Sequence, residues 1–307
     1  MQTVSWGIIG CGEVCEKKSG PALAGAPGSR LVAVMRRTGR LAEDFARRHN
    51  VPRFYDTVEG LLGDPEVQAA YVSTPNNTHL EPVLAAAEAG KHVLCEKPMA
   101  RSAAACRQMI DACREAGVVL AVAYYRRCYP TILRTKELID AGDIGAVREV
   151  RINDEFPLSH RLDLVHFLCG DAAAVWTRTE KLPPGSHADE GPVLHVRTLG
   201  GAEAVMNVGW EEKNAPETVD VVGEAGEIHV TDLKGGRMIV ARGGDERQEQ
   251  PGPLPATHWG LVENFVRHLS DGIPLACDGV EGRKSTVILD IVAELTPDAG
   301  EAPVDYS

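Results

Sequence analysis

Gly7-Ile8-Ile9-Gly10-Cys11-Gly12-Glu13-Val14-Cys15 decides how the rest of the chain is read. The apolar run from Val4 to Ile9 has the length of a short buried strand, and Gly10 and Gly12 follow it at once. Two glycines there let the backbone turn and approach a diphosphate at the start of the next helix, as in β-α-β dinucleotide-binding units. Glu13 and Val14 complete the loop, and Cys15 stands where that pattern places its third small residue. A second apolar strand, Leu31 to Met35, comes about one crossover later, which is the spacing of parallel strands.

Outward from this unit the same alternation continues. A helical period covers 41–49 with Ala42 and Phe45 on one face, and a strand at 69–73 ends in Thr74-Pro75-Asn76-Asn77-Thr78-His79. Thr78, with Glu81 three residues on, predicts a capping box that opens a helix running to Gly90. A strand before Glu96, a helix over 103–116 and a strand over 118–122 complete an α/β, doubly wound parallel sheet, so residues 1–123 form the dinucleotide-binding domain.

Residues 124–307 have a different character. After a helix at 131–141, strand-like runs fall at 147–152, 173–179, 193–198, 203–210, 218–222, 228–231 and 237–241, with glycine turns at 199–202 and 234–236. They predict an α+β domain with an open, mostly antiparallel sheet, suited to substrate binding and oligomer contacts. The stretch 243–257 reads as a loop, and 258–269 and 280–294 as closing helices.

At 307 residues, with 44% hydrophobic and 25% charged residues, the chain fits a two-domain globular protein. A net charge of −12 repels phosphate backbones and anionic membrane surfaces, so neither nucleic acid nor membrane is expected as a partner. The eight cysteines hold no C-x-x-C pair and read as reduced, buried thiols. No signal-peptide pattern or membrane-length apolar run is visible, and the expected location is cytoplasmic.

Candidate site residues cluster at strand ends. Cys95-Glu96-Lys97-Pro98 closes an apolar strand, where a lysine points toward the cofactor crevice and the proline restricts its backbone. Partly buried beside a cationic nicotinamide, Lys97 is expected to have a lowered pKa that suits proton transfer, with Glu96 expected to orient it or contact a cofactor ribose. At the end of the second strand Arg36, Arg37 and Thr38 replace the carboxylate that holds an NAD ribose, so NADP is expected ahead of NAD. Ser73, Thr74, Pro75 and Asn76 border the nicotinamide or ribose, with His79 lining the pocket at most. Tyr124, Arg126 and Arg127, at the junction, offer a grip for a polyol or carboxylate. His160 and Asp163 lie one helical turn apart. His160 and His166 diverge by roughly 120° around a helix, which argues against a metal site, and none is expected.

GIIGCG, STPNNTH, CEKP, the YYRR junction and HRLD, in this order, resemble the Gfo/Idh/MocA oxidoreductase family over nearly the whole chain. The resemblance implies a Rossmann domain, a second domain whose sheet forms homodimer or homotetramer contacts, and NAD(P)-dependent oxidation or reduction of a sugar, sugar derivative or cyclitol. By the same resemblance Lys97 corresponds to the catalytic lysine and His160 to the histidine of an Asp-x-x-x-His-x-x-Asp pattern, with Asp163 its last residue and both contacting substrate. The first aspartate of that pattern is replaced by Phe156, in Asp154-Glu155-Phe156-Pro157. This departure keeps two other readings open: a non-catalytic NADP-binding sensor, and a redox-neutral oxidation-elimination glycosidase with tightly held cofactor.

Overall fold

Two sheets of different construction organise the chain. The computed structural model describes residues 3–153, 157–181, 190–207 and 217–307. They fall into two compact units, 1–125 with 254–286, and 126–253 with 287–307.

The first unit carries strands β1 (Val4–Ile9), β2 (Ser29–Met35), β3 (Arg53–Tyr55), β4 (Ala69–Val72), β5 (His92–Cys95) and β6 (Leu120–Val122). All pair in parallel in the order β3-β2-β1-β4-β5-β6, the doubly wound order with its reversal between β1 and β4. Strands buried on both faces must be apolar throughout, and β1 and β4 are buried at every position. Between them run helices α1 (Gly20–Gly25), α2 (Gly39–Arg48), α3 (Val58–Leu62), α4 (Leu80–Glu88) and α5 (Ala103–Glu115). Ala42 and Phe45 are buried on α2, as its period requires.

The second unit contains α6 (Pro130–Asp140), β7 (Val147–Asn153), α7 (Leu158–Cys169), β8 (Ala172–Lys181), β9 (Glu190–Thr198), β10 (Glu203–Asn207), β11 (Thr218–Gly223), β12 (Gly226–Asp232), β13 (Arg237–Arg242) and β14 (Asp245–Glu249). After α8 (Trp259–Asp271) and α9 (Gly279–Val292), the short β15 (Ala302–Pro303) pairs with β8. The sheet runs β14-β13-β12-β11-β7-β10-β9-β8-β15, antiparallel except between β7 and β10. Alternation is visible on β7, where Val150 and Ile152 are buried while Arg148 and Arg151 are exposed. No helix among the described residues is long and apolar enough to cross a membrane.

Three expectations change. The contiguous division 1–123 and 124–307 gives way to a discontinuous one, because 254–286 packs with the first unit. Phe265 of α8 lies 4.9 Å from the buried Trp6 ring of β1, and the Val122 amide donates to Cys277 O. The expected capping box is not formed: 76–78 is a 3-10 turn, Thr78 Oγ1 donates to Pro75 O, and α4 starts two residues later without a side-chain cap. The stretch 243–257 is not all loop, since β14 adds a charged edge strand, whose composition discourages further pairing. The strand read as 203–210 is described to Asn207, and 208–210 lie outside the described residues.

Candidate active site

The glycine loop is built around one left-handed residue. Gly10 has φ +94°, and a Cβ there would come within 2.9 Å of the Thr74 amide nitrogen. A side chain is excluded by both strain and space. Around Gly12, by contrast, a Cβ would meet nothing closer than Gly10 O at 3.8 Å, so the backbone there is open to a ligand. Cys15, in place of the usual third small residue, turns inward: its Sγ lies 3.2 Å from Ser73 Oγ, and Ser73 Oγ donates to Gly10 O at 3.0 Å. This ties the loop to the end of β4, and burial pushes the Cys15 thiol up, so it stays protonated. Glu13 and Val14 are exposed at the rim, Glu13 in an ion pair with Lys17. The open glycine cradle fits the diphosphate of a dinucleotide.

At the end of β2, Arg36, Arg37 and Thr38 are exposed, and neither guanidinium is ion-paired among the described residues. That contrasts with nearby Arg48 and Arg53, each paired with two carboxylates. In the loop after β4, Ser73 and Thr74 are half-buried while Pro75 and Asn76 are exposed. His79 is buried and spent on backbone: Nε2 faces Thr74 O at 2.8 Å, and Nδ1 faces Pro98 O and Met99 O at 3.2 Å. The ring therefore braces the 74–79 and 97–99 loops instead of lining a pocket.

Lys97 is half-buried at the end of β5, and its neighbour Glu96 is buried among three donors. Glu96 Oε1 accepts from the Tyr71 hydroxyl and from His258 Nε2 at 2.9 Å, and Oε2 accepts the Lys97 backbone N–H at 3.1 Å. Burial alone raises a carboxyl pKa, but here the His258 bond and charge, the Lys97 charge and the Tyr71 hydroxyl outweigh it and hold Glu96 well below the usual range. The Tyr125 ring packs against His258 with centroids 4.5 Å apart. Neither Tyr71 nor His258 was a candidate from sequence. A phenol in the all-buried Ala69-Ala70-Tyr71-Val72 strand was the available signal, since its hydroxyl needs a buried partner.

Tyr124 belongs to this unit's apolar core with Cys95, Val122 and Cys277, fully buried. The expected grip on substrate is thereby corrected to core packing.

In the second unit, Arg126 and Arg127 are buried. Arg127 Nε reaches both oxygens of Asp163 at 2.9 and 3.0 Å, its Nη2 lies 2.8 Å from Oδ1, and its guanidinium lies 5.3 Å from the Phe167 ring centroid. Two residues expected on substrate thus bind each other, fixing α7 from within. Arg126 lies 3.4 Å from Glu217, which also takes Lys234 Nζ at 2.8 Å. His160 is buried in the first turn of α7, its amide donating to Pro157 O. Next to it, burial and then the charge of Arg126 pull Arg161 down to about 10. Asp154, Glu155 and Phe156, where the aspartate of the resembled pattern is replaced, lie outside the described residues.

Residues 4–124 match the Gfo/Idh/MocA profile, described as "Oxidoreductase family, NAD-binding Rossmann fold". The chain is 42% identical over 149 residues to oxidoreductase P35 of Formosa agariphila, covering 48% of this chain and 46% of that protein. It is 38% identical over 157 residues to trans-1,2-dihydrobenzene-1,2-diol dehydrogenase of Mus musculus, covering 50% of this chain and 47% of that protein. The alignments thus span about half the length of these curated relatives. A levoglucosan dehydrogenase solved with NADH and levoglucosan superposes with a TM-score of 0.82 at 22% identity, over 99% of this chain and 100% of that one, a likeness of fold. Through its glycine loop, its parallel sheet and the Glu96-Lys97-Pro98 strand end, the stretch 4–124 of this chain is similar to the Gfo/Idh/MocA oxidoreductase family.

Proposed function

We propose that the protein is an NADP-dependent oxidoreductase acting on a ring carbon of a sugar, sugar derivative or cyclitol. The observation that carries this reading is Lys97, half-buried beside a carboxylate held ionised, in the same unit as the open glycine cradle. A bound nicotinamide supplies or takes the hydride. Lys97 binds the reacting oxygen, and Lys97 and His160 handle its proton. The names of the relatives, a cyclic diol dehydrogenase and a levoglucosan dehydrogenase, favour a cyclic polyol over an open-chain substrate.

Arg36 and Arg37 are the basis for NADP over NAD. Two exposed guanidiniums without carboxylate partners among the described residues, at the strand end where a ribose is read, suit a 2′-phosphate through charge-assisted hydrogen bonds, with the Thr38 hydroxyl beside them. Asp163 and Arg127 serve substrate by fixing the helix that bears His160. A homodimer or homotetramer through the outer face of the second sheet goes with this reading, and light scattering on the purified protein checks it.

Fluorescence titration with NADPH and NADH tests the cofactor, and a screen of cyclic polyols and sugars with the preferred form tests the substrate. The expected result is tighter NADPH binding and turnover that is lost in Lys97→Ala. Equal or tighter NADH binding overturns the role of Arg36 and Arg37, and full turnover in Lys97→Ala overturns the role of Lys97.

A further inference from the structure

We propose that His258 and Tyr71 are positioning residues for Lys97: through hydrogen bonds to Glu96 they hold an ionised carboxylate beside the lysine and thereby fix its charge and its backbone.

The argument starts from what a carboxylate needs when it is buried. Glu96 is only 8% exposed, and an ionised carboxylate in that position persists only when donors replace the lost water. Three are in place. Tyr71 and His258 serve one oxygen, and the Lys97 amide serves the other. The third bond makes the arrangement directional, because the group that is stabilised also fixes the backbone of the next residue. Tyr71 comes from β4, Glu96 and Lys97 from the end of β5, and His258 from the segment just ahead of α8. His258 is 1% exposed, faced by Tyr125 and by the edge of Tyr71, so its ring has little freedom to leave Glu96.

The other titratable groups that sense Glu96 are the Cys15 and Cys95 thiols, both pushed up by burial and therefore neutral. Lys97, next in sequence to Glu96, is with His258 a cation that the charge on Glu96 stabilises. An ionised neighbour favours the ammonium form, so removing the donors that hold the Glu96 carboxylate in place weakens that support and lowers the pH at which Lys97 loses its proton.

This inference rests on the reading of Lys97 as the proton-transfer group, but its test does not require the substrate. The probe is acetic anhydride in competitive isotope labelling, whose rate at each lysine follows the free-amine fraction. The pH midpoint for Lys97 is read by peptide mass spectrometry on the full chain, with Lys91 as internal control. His258→Leu is expected to lower the Lys97 midpoint by about half a pH unit or more. Tyr71→Phe is expected to lower it by less, and His258→Gln, which retains a neutral donor, by the least.

An unchanged or raised midpoint in both His258→Leu and Tyr71→Phe overturns the inference. If His258→Leu does not fold, Tyr71→Phe decides by the same midpoint. The two readings separate cleanly: turnover surviving in Lys97→Ala with the midpoint shifts intact removes the catalytic role and leaves the positioning. Turnover lost in Lys97→Ala with the midpoints unmoved does the reverse.

Discussion

Glu96 in the first unit and Asp163 in the second are both buried carboxylates in polar clusters, and they are held in opposite ways. Asp163 is locked to Arg127 in a close, multiply bonded ion pair. Glu96 takes its hydrogen bonds from a phenol, an imidazole and a backbone amide, with Lys97 as its charged neighbour. The difference separates a charge used to build from a charge used to tune. A buried ion pair tolerates no loss of one partner, because the other is then stranded in a poorly solvating interior. A carboxylate served by side-chain and backbone donors can instead adjust the chemistry of the residue beside it.

The contrast is sharpest in a pair of substitutions read for both activity and melting. Lys97→Ala is expected to lower kcat about a thousandfold with the melting temperature unchanged. Asp163→Asn is expected to lower unfolding free energy by about 3 kcal/mol, seen in urea titration, with NADPH affinity retained. If Asp163→Asn lost activity at full stability, the comparison would break, and Asp163 would join the reacting groups. Replacing Arg36 and Arg37 together by Ala is expected to weaken NADPH binding by about 2 kcal/mol and leave NADH binding unchanged, measured by fluorescence.

The smallest effect is in acid. Glu96 is held at about 2 against an ordinary 4.5, so its contribution to stability is complete above about pH 4.5 and is lost as the pH falls toward 2. Denaturant titrations from pH 5 to 3 are expected to show a shallower decline for Glu96→Gln than for the native protein. Equal slopes would place the acid sensitivity elsewhere.

Much of the fold was legible because it is written in local periodicity. Strand β1, its glycine loop and strand β2 follow one another within 35 residues, and burial on both faces demands their continuous apolar runs. The hairpins at Gly201 and Gly236 were legible for the same reason: both glycines adopt positive φ, and the turn chemistry is local. What stayed hidden depends on distant partners. Glu96 and His258 are 162 positions apart, and nothing around His258 marks it. Tyr124 and Arg127 are three residues apart in one aromatic and basic run, yet one enters an apolar core and the other an ion pair. Strand β14, Asp245-Glu246-Arg247-Gln248-Glu249, escaped because it has no apolar alternation; its pairing with β13 supplies what its side chains do not. The capping box at Thr78 had the right letters, but Pro75 draws the threonine hydroxyl to its carbonyl and the helix opens later.

The return of 254–286 to the first unit has a consequence for how the protein comes into being. On the ribosome, Lys97 emerges long before His258, and the stretch between them includes nearly all of the second sheet. A nascent chain that ends at the junction has its glycine loop and six strands, but Glu96 lacks one of its three donors and the Trp6 ring lacks Phe265. Closing so long a loop is slow and entropically opposed, so the nucleotide-binding half matures only after most of the second sheet has been made. A fragment cut after residue 125 is accordingly not a miniature of the cofactor-binding half. The lysine's surroundings are completed by a segment that follows most of the second sheet in the chain.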